Sequence, residues 1–154
     1  MKRILVIGIG NLIMKDDGIG VRVVNAVQSK LQEMNLASLI GETDVQYCLD
    51  HIRSDDNLII VDAMIEGQEP GSVQLMSLND AIHNRGKLRT QHEFSIFDCM
   101  ALHYPKVQGY LIGIQAAEID FGFELSEALH QRFEEICSVV LKTIETIKEE
   151  AGYA

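Results

Sequence analysis

Three short, continuous apolar runs limit what this chain can fold into. Residues 3–8 read Arg-Ile-Leu-Val-Ile-Gly, residues 57–62 read Asn-Leu-Ile-Ile-Val-Asp, and residues 107–114 form a third run. Apolarity without alternation means that both faces of a strand are covered, which is the condition of a parallel sheet. Between the runs the apolar positions recur at helical spacing. Residues 18–36 read as a helix with Val21, Val24 and Val27 on its apolar face, and residues 45–53 and 93–104 read as shorter ones. Residues 125–150 read as one long amphipathic helix, with Leu129, Phe133, Ile136, Val140, Ile144 and Ile147 at three- and four-residue steps. Residues 37–40 suggest a short strand and residues 71–76 an edge strand. The polar stretch 79–90 reads as a loop that Gly86 could hinge over a substrate.

Strands alternating with helices predict an α/β fold. We expect a three-layer sandwich with a mainly parallel, twisted central sheet, helices on both faces and one antiparallel edge strand. With 154 residues and no linker or repeat, residues 1–154 are expected to form a single domain. A chain of this size buries roughly 70% of its unfolded surface and needs no disulfide or structural metal.

Charge and cysteine usage remove several function classes. A net charge of −10 disfavours nucleic acid or an anionic membrane as the main partner. No apolar stretch approaches the roughly 20 residues of a membrane span, and the first apolar run is too short for a signal peptide. A cytoplasmic protein is expected. The three cysteines, Cys48, Cys99 and Cys137, form no CxxC pair and are expected to be buried free thiols.

In open α/β sheets ligands bind beyond the carboxyl ends of the strands. Two acids follow the first strand, Asp16 and Asp17, and Asp62 ends the strand 57–62. An acid at the tip of a buried strand is costly unless it is paired, hydrogen-bonded or metal-bound. One of Asp16 and Asp17 is expected to cap the following helix and the other to face the crevice. His92, just before the helix expected at 93–104, is the histidine best placed to join them, ahead of His51, His83, His103 and His130. Gly8-Ile9-Gly10 imitates a dinucleotide turn, but Ile13 stands where the third glycine is needed and two acids occupy the phosphate position. His92-Glu93 is not a zincin motif, because residue 96 is Ile.

The segment Ile4-Leu5-Val6-Ile7-Gly8-Ile9-Gly10-Asn11-Leu12-Ile13-Met14-Lys15-Asp16-Asp17-Gly18-Ile19-Gly20-Val21 resembles the N-terminal signature of the hydrogenase maturation proteases. Leu58-Ile59-Ile60-Val61-Asp62-Ala63 is similar to the family's second motif, Gln91-His92 with Asp98 to the third, and Leu111-Ile112-Gly113-Ile114-Gln115 to a late strand. The sequence departs from the family at residues 41–44, Gly-Glu-Thr-Asp, and at Gln91 before the histidine. The resemblance implies an endopeptidase that removes the C-terminal extension of a nickel–iron hydrogenase large-subunit precursor. It implies that Asp17, Asp62 and His92 meet nickel brought by that precursor, with no nucleotide or organic cofactor. A monomer that forms a transient complex with the precursor is expected. The competing expectation is a non-catalytic nickel-binding or adaptor protein of the same fold.

Overall fold

A computed structural model describes residues 2–83, 96–104 and 106–152. Five strands form one sheet: β1 (Ile4–Ile9), β2 (Ala37–Glu42), β3 (Asn57–Met64), β4 (Val73–Ser77) and β5 (Gln108–Gln115). Their order is β2-β1-β3-β5-β4. β1 pairs in parallel with β2 and β3, β3 pairs in parallel with β5, and β4 lies antiparallel on the edge. The helices are α1 (Ile19–Glu33), α2 (Val45–His51), α3 (Leu78–His83), α4 (Asp98–His103), α5 (Glu127–Gln131) and α6 (Phe133–Glu150).

Two apolar cores sandwich the sheet, as continuous apolarity requires. On one face Ile4, Val6, Ile59, Val61, Ile112 and Ile114 pack against α1, α5 and α6. On the other face Leu5, Ile7, Leu58, Ile60, Met64 and Leu111 pack against residues of α2, α3 and α4. The three-layer expectation holds, including the antiparallel edge strand. Cys48 lies in the second core at 1% exposure, whereas Cys99 and Cys137 are only half-buried, so the expectation of three buried thiols holds for one.

Several expected boundaries are corrected. α1 stops at Glu33 rather than residue 36, because Asn35 turns into the left-handed region at φ 60°. The helix expected over 125–150 is two helices that break at Arg132. The Arg132 guanidinium donates to Pro70 O (2.5 Å), which ties the break to the β3–β4 connection. A single non-helical residue leaves Leu129 and Ile136 in the same core, so the spacing did not reveal it. Residues 79–83, expected in a loop, lie in α3, where Leu78 and Ala81 are buried and the Ser77 hydroxyl accepts from Asp80 N at 3.1 Å. The helix expected from 93 is described only from residue 96, with two residues of wider turn before α4. The rest of the 79–90 segment, and its proposed hinge at Gly86, lie outside the described residues.

A 3₁₀ turn, Lys15–Gly18, joins β1 to α1. Asp16 within it is fully buried and anchors the β5–α5 connection. Its Oδ2 accepts from Ala117 N and Glu118 N, both at 2.9 Å, and its Oδ1 accepts from Ser126 N at 2.8 Å. The expected helix-capping role is not seen, since neither acid caps α1: its N-cap is Gly18, with no side-chain cap bond.

Replacing Asp16 with Ala leaves three amides without their charged acceptor. We expect a loss of about 3 kcal/mol, with Asn recovering part of it, read from denaturant unfolding. A second expectation concerns Cys48, whose thiol is pushed up to about 11 by burial and, secondarily, by Asp44. The folded chain then holds a proton that the unfolded chain releases above its ordinary value of 9.0. This contribution is fully present below that value and is lost as the pH rises toward about 11. Unfolding midpoints of the wild type should therefore fall relative to Cys48→Ala across that window; a constant difference would refute it.

Candidate functional site

The site is built where the sheet changes direction. From β1 the chain crosses to β2 at one edge, while from β3 it proceeds toward β4 and β5 on the other side. A crevice forms at such a switch point beyond the carboxyl ends of the strands. Asp17 follows β1 and Asp62 lies near the end of β3, one on each side of it.

Four glycines set how tightly these segments meet. A Cβ at Gly20, the second residue of α1, would stand 2.2 Å from Val61 O, directly before Asp62. A Cβ at Gly8 would stand 2.8 Å from Gly20 O. At Gly10, whose φ is 142°, a Cβ would reach 2.1 Å from Asp17 O. One at Gly18 would meet Leu12 Cα at 3.1 Å. Only residues without side chains let α1 and its leading turn lie this close to β1 and β3. The glycines that imitated a dinucleotide turn therefore serve helix–strand packing.

Asp62 does not end β3, as the sequence suggested. The strand runs two residues further, to Met64. The ladder with β1, however, ends at Gly8 opposite Val61, so Asp62 is the first residue beyond it. Its partner on β5 is Gly113, which brings no side chain alongside. Alternation places Asp62 on the sheet face of Ile60 and Met64. Asp62 is fully buried, and its Oδ1 accepts from Ala63 N at 2.8 Å. Asp17 is 2% exposed, and its Oδ2 accepts from Asn11 N at 2.9 Å, which fixes the exit of β1. The 3₁₀ turn that carries Asp17 packs against β3.

The third expected residue, His92, lies outside the described residues. The chain returns at Ile96 and Phe97, which pack in the same core as Ile60 and Met64 on either side of Asp62. Among the described residues no group of three or more His, Cys, Asp or Glu side chains is arranged to hold a metal ion. The two buried carboxylates suit a divalent cation chemically, but alone they are an incomplete ligand set. Of the lower-ranked histidines, His51 bonds Tyr47 O within α2, and His103 and His130 are exposed. Cys48 does not suit nucleophilic chemistry, because burial keeps its thiol protonated at neutral pH.

Sequence reasoning gave no structural role to Gln115. Its side chain is buried, and its Oε1 accepts from Glu66 N (3.0 Å) and Gln68 N (3.3 Å) while its Nε2 donates to Ala116 O (3.0 Å). It thereby holds the connection leaving β3 just past Asp62. The available signal was the same as for Asp62, a polar residue closing an apolar strand.

Comparison with known proteins agrees with this architecture. A family profile described as hydrogenase maturation protease matches residues 21–143. The chain is 35% identical over 137 residues to the hydrogenase expression/formation protein HupD of Thiocapsa roseopersicina, covering 84% of this chain and 62% of that one. It is 32% identical over 146 residues to HupM of Azotobacter chroococcum, covering 90% and 69%. The chain thus spans about two thirds of the length of these relatives. Among solved structures, the hydrogenase maturation protease HybD from Thermococcus kodakarensis superposes with a TM-score of 0.75 at 27% identity, covering 92% of this chain and 98% of that one. The maturating endopeptidase HybD from Escherichia coli shares the fold with a TM-score of 0.76 at 23% identity, covering 94% and 93%. The chain belongs to the hydrogenase maturation protease family, a family of peptidases.

Proposed function

We propose that this protein is the endopeptidase that removes the C-terminal extension from a nickel-loaded nickel–iron hydrogenase large-subunit precursor. The observation that carries the proposal is the placement of two buried carboxylates at the switch point of the sheet, Asp17 after β1 and Asp62 near the end of β3. Family membership supplies the reaction class, and the resemblance of Gln91-His92 to the family's third motif supports His92 as the third participant.

Nickel is written here as part of the substrate. Two carboxylates and one imidazole leave coordination positions open, which suits a metal that arrives with ligands of its own. Recognition of the loaded centre would then align the scissile peptide, and an unloaded precursor would gain no such alignment. Hydrolysis needs a group that takes a proton from the attacking water, and a carboxylate at the crevice can do so. Because Asp17 and Asp62 are 2% and 0% exposed, contact with substrate requires a local rearrangement at the crevice mouth. No helix among the described residues is long and apolar enough to cross a membrane. We place the reaction in the cytoplasm, with a monomer that forms a transient complex.

The test is a processing assay. Purified protein is mixed with precursor, nickel-loaded or not, and the precursor mass is followed. Loss of a short C-terminal peptide from the loaded form alone is the expected result. Stable association without any change in mass would instead identify a carrier or adaptor. Asp62→Asn and Asp17→Asn should each lower processing about a hundredfold or more with folding retained. Normal processing by either variant would remove that residue from the site.

A further inference from the structure

The connection between β5 and α5 raises an apolar knob into solvent beside the turn that follows β1. Phe121 and Phe123 are each 65% exposed, and Ile13 is 44% exposed. The two rings pack edge to face, with centroids 5.5 Å apart at 74°. Ile13 joins them through the backbone: Gly122 N donates to Ile13 O (2.9 Å), and Lys15 N donates to Gly122 O (3.0 Å). A lone exposed apolar residue needs no explanation, but a cluster with two aromatic rings marks an interaction surface.

The knob is held rather than loose. Asp16 takes three amides of its connection, and the Arg22 guanidinium donates to Phe123 O at 2.5 Å. Aromatic rings on a fixed backbone lose little freedom on binding, which favours their use as anchors. The surround is acidic. Glu118, Asp120, Glu124 and Glu127 are all exposed, and residues 116–127 contain no Lys or Arg. Lys15 reaches this rim but pairs with Glu118 at 3.2 Å.

We propose that Ile13, Phe121 and Phe123 form a docking surface for the substrate polypeptide, taking an apolar side chain flanked by lysine or arginine. The inference rests on the function proposed above and names how that substrate is gripped. Charge complementarity selects the occupant, because an acidic ring around an apolar centre repels acidic chains and steers basic ones. Position supports it as well. The strip 13–15 that binds the knob leads through Asp16 into Asp17, so the surface is joined directly to the turn that carries Asp17.

The experiment compares the wild type with Phe121→Ser/Phe123→Ser and with Asp120→Lys/Glu124→Lys. Cleavage of nickel-loaded precursor gives kcat and KM, and Asp62→Asn versions give the equilibrium association without turnover. The serine pair should raise KM and Kd about tenfold or more while kcat stays within about twofold. The lysine pair should weaken association and reduce its dependence on salt. Unchanged KM and Kd in an active enzyme would overturn the docking surface and leave the peptidase assignment standing. Precursor that binds, is not cleaved and is released by the serine pair would sustain the surface and sink the peptidase assignment. Absence of both cleavage and binding would overturn both. If the wild type dimerises, the serine pair is monomeric and KM is unchanged, the knob is a contact between copies and the proposal falls.

Discussion

The close approach of α1 to the sheet is the constraint on which the rest of this structure depends. Gly8 and Gly20 remove the side chains that would separate helix from strand, and the gap closes to backbone contact. Helix–sheet packing with ordinary side chains would hold the Asp17 turn farther from Val61 and Asp62. The glycines thus set how closely the turn that carries Asp17 approaches the strand that carries Asp62. Gly8, together with Gly10, also gives the Gly-x-Gly turn a packing role.

Adjacent acids in the same turn have separate duties because their backbones face different neighbours. Asp16 turns toward the β5–α5 connection and takes three amides, a structural use of a buried carboxylate in which hydrogen bonds offset the desolvation cost. Asp17 turns toward the exit of β1 and bonds Asn11 N. The first ties down a connection 101 to 110 residues away, and the second holds the exit of its own neighbouring strand. Gln115 does for the β3–β4 connection what Asp16 does for the β5–α5 connection, so both loops bordering Asp62 and Asp17 are tied by buried polar side chains.

Most of the fold was legible because its signal is local. Continuous apolar runs marked β1, β3 and β5 as strands covered on both faces, and helical spacing marked α1 and α6. The errors came where a local pattern is blind. The one-residue break at Arg132 preserves the apolar stripe, so α5 and α6 read as one helix. α3 hides in a polar stretch because it is short and brings just Leu78, Ala81 and, in part, Ile82 to the core. At the site, the strand-end position drew attention to Asp62, but the strand outruns it by two residues. What makes Asp62 a terminus is the neighbouring ladder, which stops at Val61.

The sequence by itself determined the layer order, the acids after the first strand and near the end of the third and the family to which the chain belongs, because each rests on residue types at fixed spacing. Only the tertiary structure decided which acid of the Asp16–Asp17 pair anchors a loop, that Gln115 ties down the exit of β3, and that Phe121, Phe123 and Ile13 meet on one surface. The physical reason is distance along the chain. Asp16 finds its partners 101, 102 and 110 residues away, and no pattern in a window of neighbours records a bond made across the fold.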